Sequence, residues 1–243
     1  GVLLRKADIV FAGGYSIAEI KRDSRGHIHV FPSAVEIDHF KKALSDTLEM
    51  PDDIRDIPHP ILGYWGAIDE RVDHELLKRL AMKHPEWSIV LLGPIVKHKV
   101  GDTSYLREMK NIFWLGPKDY SLLPNYAKAF DVCLIPFVLS REGIFLSPTK
   151  TLEYLATGKP VVSTPITDVV KFYHGVVRIA DGSDEFGMAV MRCLEEDNAS
   201  MKQERIHFTE NKSWEDTVEN MEKLILDKIE EKNNVAPSGA TCS

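Results

Sequence analysis

Short runs of apolar residues recur along the chain, and each has the length of a β-strand. After residue 60 these predicted strands lie at 61–66, 88–92, 112–114, 131–136, 160–164 and 176–180. The stretches between them have helical spacing of apolar residues, near 72–83, 120–129, 148–157, 168–173 and 184–196. Apolar strands that alternate with helices predict an α/β fold, with a parallel sheet covered on both faces. Ligands of such sheets bind at the carboxyl ends of the strands.

The first 50 residues predict a smaller α/β piece. Strands are expected at 7–12 and 27–31. Ser16-Ile-Ala-Glu19 has the spacing of a capping box, which predicts a short helix with Ser16 as its N-cap. Two strands and two short helices are too few for an independent domain, so we expect residues 1–50 to be part of a larger one.

The pattern also predicts how the rest of the chain is divided. Residues 51–60 are rich in Pro and acidic residues, as is typical of an interdomain linker. Residues 61–232 then form one domain, which closes with helices at 200–210 and 214–231. Residues 233–243 are polar, contain Pro and Gly, and have no periodicity, so we expect a disordered tail.

Composition narrows the function without identifying it. The 243 residues are 44% hydrophobic and 28% charged, as in an ordinary globular protein, and the net charge of -7 argues against nucleic-acid binding. The three cysteines, Cys133, Cys193 and Cys242, have no metal or redox spacing, which favours a reducing cytoplasm. No apolar run reaches transmembrane length, so any membrane contact, at the inner face, is expected to be peripheral.

Motifs of several other chemistries are absent from the sequence. There is no Asp-x-Asp pair, no Walker loop, no G-x-S-x-G elbow and no G-x-G-x-x-G fingerprint. Asp131 and Asp168 stand at the ends of predicted elements, where helix capping is the common use of Asp, and we assign them no chemistry.

Residues 147–153 carry the clearest chemical signal. Ser147 is a good N-cap, and Pro148 at the first helical position loses no hydrogen bond. Lys150 then falls in the first turn, where free amides already favour an anion. Glu153 lies one turn beyond Thr149, and its oxygens can accept hydrogen bonds from a vicinal diol such as a ribose. The plain structural alternative is a capped helix with a Lys and a Glu on its solvent face.

This segment resembles the donor-binding motif of retaining glycosyltransferases that have the two-Rossmann-domain (GT-B) architecture, in the family 4-like group. Residues 61–70, 88–94, 111–116 and 131–136 are similar to successive strand-and-loop segments of that group's second domain. The resemblance covers about residues 7–181. It implies a Rossmann-like doubly wound sheet as the nucleotide-sugar-binding domain. It also implies that residues 1–50 are the end of the first, acceptor-binding domain, whose remaining Rossmann half is a partner missing from this chain.

The resemblance also implies roles for particular residues. Glu153 would hold the ribose of a nucleotide sugar, and Gly66 would let the backbone approach the diphosphate. Gly93 and Gly116 would border the base. Tyr120 would either stack on the base or pack on the core as an aromatic at a helix start.

The phosphate cations differ from the pattern of that group. Relatives carry an Arg directly after the first glycine and a Lys on the next helix, whereas this chain has Ala67 and Asp73 near those places. Lys150, beside the segment Ser147-Pro148-Thr149 with its free amides at Ser147 and Thr149, is then the main phosphate cation. Arg71 is either a substitute or a solvated loop charge.

The function implied is the donor-binding half of a retaining, metal-independent glycosyltransferase. It would move a hexose from a nucleotide diphosphate sugar, with UDP as the expected nucleotide, to a hydroxyl of a glycan or cell-surface polysaccharide precursor, without a cofactor. Lys150 would stabilise the leaving diphosphate, and the catalytic contacts to the acceptor would come from the first domain. A nucleotide-sugar epimerase on the same scaffold and a non-catalytic nucleotide-binding module are the alternatives.

Overall fold

The computed structural model describes residues 2–21, 27–96, 103–139 and 148–235, which contain two parallel sheets. In chain order the strands are β1 (Val10–Ala12), β2 (Ile28–Val30), β3 (Ile61–Trp65), β4 (Ser88–Leu92), β5 (Ile112–Gly116), β6 (Val132–Ile135), β7 (Val161–Ser163) and β8 (Arg178–Ile179). β1 and β2 pair with each other. The other six form one parallel sheet, which confirms the predicted α/β architecture.

The order of the strands in the larger sheet creates a crevice. That order is β5-β4-β3-β6-β7-β8, so the chain builds outward from β3 in one direction and then resumes on the other side with β6. Leu62 of β3 aligns with Val132 of β6 where the two halves meet. In a doubly wound sheet the connections on either side of this switch point diverge, and a ligand site opens at the carboxyl ends of the two strands.

Helices connect and cover the strands. They are α1 (Val2–Lys6), α2 (Tyr15–Lys21), α3 (Ile37–Lys41), α4 (Asp52–Arg55), α5 (His74–Lys83), α6 (Tyr105–Glu108), α7 (Leu123–Ala129), α8 (Lys150–Ala156), α9 (Thr167–Tyr173), α10 (Gly182–Glu196), α11 (Ala199–Thr209) and α12 (Trp214–Val235). α5 packs beside α10, and α8 packs beside α11 and α3. Sequence periodicity missed α1, α4 and α6 because four or five residues are too few to show a helical period.

The central strands are buried on both faces, which explains their continuous apolar sequences. Every residue of β3, β4 and β6 is buried. Gly63 in the middle of β3 leaves room for the ring of Phe130, since a Cβ at this position would lie 2.0 Å from two ring carbons. The sheet is therefore rigidly packed beneath the crevice.

The capping box predicted at Ser16 is wrong. Helix α2 begins at Tyr15, so Ser16 lies inside it, and the buried Ser16 hydroxyl has no hydrogen-bond partner among the described residues. The Ser16 amide instead donates to Oδ1 of Asp168 at 3.0 Å, and Glu19 pairs with Lys171 at 2.5 Å. A carboxylate from the larger domain has replaced the local cap, which a sequence motif cannot foresee.

Residues 27–60 pack onto the larger domain. α3 contacts α7 and α8, and the ammonium of Lys128 donates to the carbonyl oxygens of Ser45, Asp46 and Leu48. The stretch 51–60 contains α4, whose Asp53 pairs with Lys118 at 2.5 Å. This predicted linker is thus held against the larger domain by ordered contacts.

The predicted tail begins too early. Helix α12 continues to Val235, so the first three residues of the stretch 233–243 are helical. The preceding residues are charged and form helix readily, and Lys232 pairs with Asp8 at 2.7 Å. Residues 236–243 lie outside the described part of the chain.

Candidate functional site

The crevice at the switch point has a floor of bare backbone made by three glycines. Gly66, Gly93 and Gly116 lie at the carboxyl ends of the adjacent strands β3, β4 and β5, with φ values of 136°, 144° and 74°. The Gly66 amide donates to Leu92 O, and the Gly93 amide donates to Gly116 O, both at 2.8 Å. A Cβ on Gly93 would lie 1.9 Å from the Gly66 carbonyl oxygen, so only glycine allows this close approach.

The ammonium of Lys150 lies directly above Gly66. A Cβ on Gly66 would stand 2.8 Å from Lys150 Nζ, which is 5.4 Å from the ring centres of both Tyr64 and Phe137. Among the described residues, Nζ has no hydrogen-bond or ion-pair partner. Burial lowers the pKa of Lys150, an effect that the nearby Glu153 carboxylate opposes. This ammonium is a desolvated cation at the mouth of a backbone cradle.

Glu153 is held beside Lys150 by the end of β3. The indole Nε1 of Trp65 donates to Glu153 Oε2 at 2.7 Å, and the Tyr154 hydroxyl accepts from the Trp65 amide at 3.0 Å. Burial raises the pKa of Glu153, and the Trp65 hydrogen bond opposes that rise. Strand β3 and helix α8 are therefore locked together, with the second carboxylate oxygen, Oε1, left without a partner in the described part of the chain.

Helix α8 begins later than predicted. It starts at Lys150, with Thr149 as an N-cap that is already in the right-handed helical region and makes no side-chain cap hydrogen bond. The Thr151 amide bonds to Pro148 O at 3.1 Å, so Pro148 belongs to the turn that precedes the helix. Ser147, the predicted N-cap, lies outside the described residues.

The other end of α8 agrees with the sequence. Gly158, with φ of 75°, follows the last turn, as a helix-ending glycine does.

Tyr120 packs against the smaller N-terminal part of the chain. Its ring stacks on His39 of α3, with centroids 4.8 Å apart and planes at 13°, and meets the edge of Phe40. His39 Nε2 donates to the Tyr120 carbonyl oxygen at 3.0 Å. The side chain remains partly exposed, and burial together with the charges of Glu153 and Glu36 raises its pKa. Tyr120 thus stands close to Glu153, with one ring face covered by α3.

The loop after β3 holds a second cation, Arg71. Its guanidinium forms a two-pronged ion pair with the buried Asp69, from Nε at 3.0 Å and from Nη2 at 2.6 Å. The Val138 amide donates to the Arg71 carbonyl oxygen at 2.8 Å, which fixes this loop to the segment after β6. Asp73 caps α5 by accepting from the Leu76 amide at 2.8 Å.

Sequence reasoning missed four residues that shape this site: Trp65, Asp69, Glu36 and His39. Asp69 and Arg71, two positions apart in the loop that begins with the strand-ending Gly66, form a local signal that could have indicated the ion pair. Trp65 stands at the end of an apolar run, where its indole role is hidden. Glu36 and His39 come from an element distant in sequence and carry no local signal.

Two negative findings hold for the described ranges of the chain. No group of three or more His, Cys, Asp or Glu side chains there is arranged to hold a metal ion. No helix there is long and apolar enough to cross a membrane.

Comparisons with known proteins agree on the family. Residues 60–196 match the family model described as glycosyl transferases group 1. Over 113 residues, 46% of this chain, the sequence is 33% identical to the putative teichuronic acid biosynthesis glycosyltransferase TuaH of Bacillus subtilis strain 168. The aligned part makes up 28% of TuaH.

Solved structures share the fold at low identity. Sucrose-phosphate synthase from Thermosynechococcus elongatus superposes with a TM-score of 0.71 at 16% identity, over 95% of this chain and 60% of that one. Anabaena Alr3699/HepE, in complex with UDP and glucose, superposes with a TM-score of 0.68 at 17% identity, over 94% of this chain and 64% of that one.

The chain therefore spans less than two thirds of the length of these relatives. The family model, by contrast, covers more than half of this chain and includes the glycine floor, Lys150 and Glu153. On that match, the chain belongs to the family of group 1 glycosyl transferases.

Proposed function

We propose that the chain is the donor-binding part of a glycosyltransferase that moves a hexose from a nucleotide diphosphate sugar, with UDP as the nucleotide, to a hydroxyl of a glycan. The observation that carries the proposal is the pairing of the Lys150 ammonium, which lies over Gly66 without a partner in the described ranges, with a Glu153 carboxylate fixed by Trp65. A cation above bare backbone suits a diphosphate, and a carboxylate one turn away suits a ribose diol.

Lys150 would bind and stabilise the diphosphate. As the bond from C1 to the phosphate oxygen breaks, negative charge grows on the leaving group, and a fixed cation lowers the free energy of that state. Helix α8 has seven residues, only two turns of aligned peptide dipoles, so the full charge of Lys150 outweighs its amino end. Because the ammonium already stands in a partly dehydrated position, little reorganisation is needed when phosphate arrives.

Arg71 would act as a second phosphate contact. Its guanidinium is held by Asp69, and its carbonyl oxygen accepts from the Val138 amide. Val138 follows Phe137, whose ring faces the Lys150 ammonium. The two cations thus flank the same end of β3 and β6, and each charge acts on the other, since Arg71 contributes to the lowered pKa of Lys150. An anion between them would relieve this repulsion.

Glu153 would fix the ribose, and with it the position of the anomeric carbon. Trp65 occupies Oε2 and sets the direction of the carboxylate, which leaves Oε1 to accept from the 2′- and 3′-hydroxyls together with the second lone pair of Oε2. This is catalysis by orientation, because a donor held rigidly spends less entropy in reaching the reactive geometry. Gly93 and Gly116 would let the base lie against backbone, with Tyr120 at its margin.

The choice of UDP, the retained configuration and the absence of a metal are further parts of the proposal. Alr3699/HepE, a structural neighbour, was solved with UDP and glucose, and TuaH is named for teichuronic acid biosynthesis. These names support UDP as the nucleotide and a polysaccharide precursor as the acceptor. Retention rests on the resemblance of residues 147–163 to retaining enzymes. Metal independence rests on Lys150, which supplies the charge that a divalent ion would otherwise provide.

A donor-hydrolysis and transfer assay tests the proposal. We expect UDP to bind the chain in calorimetry. We also expect the protein that carries this chain to convert a radiolabelled UDP-hexose into a glycan-linked product with the α or β configuration of its donor, read by anomeric coupling in proton NMR. An epimerised free nucleotide sugar would favour the epimerase alternative. Failure to bind UDP, GDP or ADP would refute donor binding altogether.

A further inference from the structure

A cavity separate from the crevice opens between the smaller N-terminal part and the larger domain, on the side of α8 away from Lys150. Its volume is about 340 Å³, and its walls come from α2, the segment 32–34 after β2, α8, α9 and the junction of α11 with α12. The Leu152 side chain lines it, whereas Lys150 of the same helix lies over Gly66 and Glu153 accepts from Trp65. The cavity shares no residue with the proposed donor site.

Asp168 supplies this cavity with an incomplete hydrogen-bond set. The side chain is 1% exposed, and its Oδ1 accepts from the Ser16 amide at 3.0 Å. Its other oxygen, Oδ2, has no partner within the described part of the chain, and neither has the nearby buried Ser16 hydroxyl. A buried carboxylate oxygen without a donor is costly and rare in folded proteins, so a donor from outside the chain would complete this group.

The opposite wall carries a cation, Lys212. Its ammonium donates to Phe208 O at 2.7 Å and lies 4.1 Å from the centre of the Phe208 ring. Burial lowers the pKa of Lys212, and no carboxylate offsets that effect. An anion in the cavity would be repelled by the Asp168 carboxylate, and a cation would be repelled by the Lys212 ammonium. A neutral ligand whose groups both donate and accept hydrogen bonds satisfies both residues at once.

Aromatic rings form the remaining walls. Tyr15 stacks on Phe172 with centroids 3.6 Å apart, and Tyr173 lies 5.5 Å from Phe208. Flat apolar surfaces together with a carboxylate and an ammonium match the two faces of a hexose, which has C–H groups on one side and hydroxyls around its edge. We propose that this cavity binds a neutral hexose unit, with its hydroxyls donating to Asp168 and accepting from Lys212.

The source of this hexose follows from the proposed function, on which this step rests. The cavity and Lys150 lie on opposite sides of α8, a helix about 10 Å across with its side chains. That distance places the cavity outside the reacting centre, so the unit held there belongs to a more distant part of the acceptor glycan. Its role is to hold the acceptor while its end reaches the donor.

Binding of defined sugars tests the proposal. We expect methyl β-D-glucopyranoside to give saturation-transfer NMR signals with the chain, and glucuronate and glucosamine to bind more weakly. UDP at saturation is expected to leave the signals unchanged. Loss of the signals on UDP addition, no detectable binding, or a preference for either charged sugar would each overturn the proposal.

Two variants refine the test. Asp168→Asn keeps an oxygen that can accept from the Ser16 amide and removes the charge. Lys212→Met keeps the length of the side chain and removes the ammonium. Each variant should bind the glucoside roughly tenfold more weakly, as expected for the loss of one charge-assisted hydrogen bond. UDP affinity should stay within about twofold, which separates this site from the donor site. Glucoside binding unchanged in both variants would refute the assignment.

The length of the sugar distinguishes an acceptor glycan from a free hexose as the ligand of the cavity. A glucose oligosaccharide that binds more tightly than the monosaccharide would support an acceptor glycan, whereas equal affinity would refute that source. If the unmodified chain does not bind UDP, the proposed function is refuted, whereas the assignment of a sugar to this cavity is not.

Discussion

Removal of the Glu153 carboxylate tests the ribose contact directly. In Glu153→Ala both oxygens disappear, and the buried indole N–H of Trp65 loses the acceptor that it now reaches at 2.7 Å. In Glu153→Gln the shape and one acceptor oxygen are kept, and the charge is lost. The Gln variant is therefore the matched control that separates charge from shape.

The magnitude follows from the hydrogen bonds that the diol would make. A hydrogen bond to a charged group contributes about 1.5–3 kcal/mol, and a neutral one about 0.5–1.5 kcal/mol. Because Trp65 already uses part of Oε2, we count one strong bond and expect Glu153→Ala to weaken UDP binding roughly tenfold to a hundredfold. Glu153→Gln should lose about 1 kcal/mol, or roughly fivefold, because a neutral acceptor remains.

Calorimetry with two ligands isolates the contact. UDP and 2′,3′-dideoxy-UDP differ only in the two hydroxyls, so a cycle of two proteins and two ligands gives the coupling between Glu153 and the diol. We expect Glu153→Ala to reduce the binding free energy of UDP by at least about 1.5 kcal/mol more than that of the dideoxy ligand. An equal loss for both ligands, with the melting temperature of the variant near that of the parent, would refute the ribose role.

Four further outcomes test the rest of the site. Lys150→Met should weaken UDP binding roughly tenfold to a hundredfold in calorimetry, because UDP carries phosphates. The affinity for uridine, which has none, should stay within about twofold. UDP affinity should fall as the pH rises through the lowered pKa of Lys150, which lies below the value of about 10.4 for an ordinary lysine. It should also fall as the pH drops through the raised pKa of Glu153. The loss at alkaline pH should be absent in Lys150→Met. Gly66→Ala should destabilise the fold by about 1–3 kcal/mol in denaturant titration and abolish UDP binding, because its Cβ would stand 2.8 Å from Lys150 Nζ. Gly116→Ala is also strained by its φ of 74°, at about 1–2 kcal/mol, but its Cβ meets open space, so it should keep most of the UDP affinity. UDP binding should persist in EDTA, and its loss with recovery on Mg²⁺ or Mn²⁺ addition would contradict the role given to Lys150.

The sequence predicted the sheet because its central strands are buried on both faces. Such strands need uninterrupted apolar runs, and those of β3, β4 and β6 are visible without any homologue. The glycines that follow them are equally visible. Since the carboxyl ends of parallel strands lie at one edge, separate signals at Gly66, Lys150 and Glu153 could be assigned to one crevice from the sequence alone.

Contacts between distant residues could not be predicted in the same way. Asp168 and Ser16 are 152 positions apart, and His39 and Tyr120 are 81 apart. The Ser16 motif predicted a local cap, but a carboxylate fixed by the larger domain satisfied the helix instead. Local patterns report the elements, whereas the partner of each polar group depends on how the elements pack.

The arrangement around Lys150 shows why the sheet has to be so well packed beneath the crevice. An ammonium that burial has partly dehydrated, with no partner in the described part of the chain, lowers the stability of the ligand-free fold. Gly66 adds a backbone conformation that only glycine tolerates. Both costs are offset by the buried strands below them, and the cost at Lys150 is removed when an anion binds. Under the proposed function, the free energy that destabilises the empty site would be recovered as affinity for the diphosphate, and most fully when the leaving group carries its greatest charge.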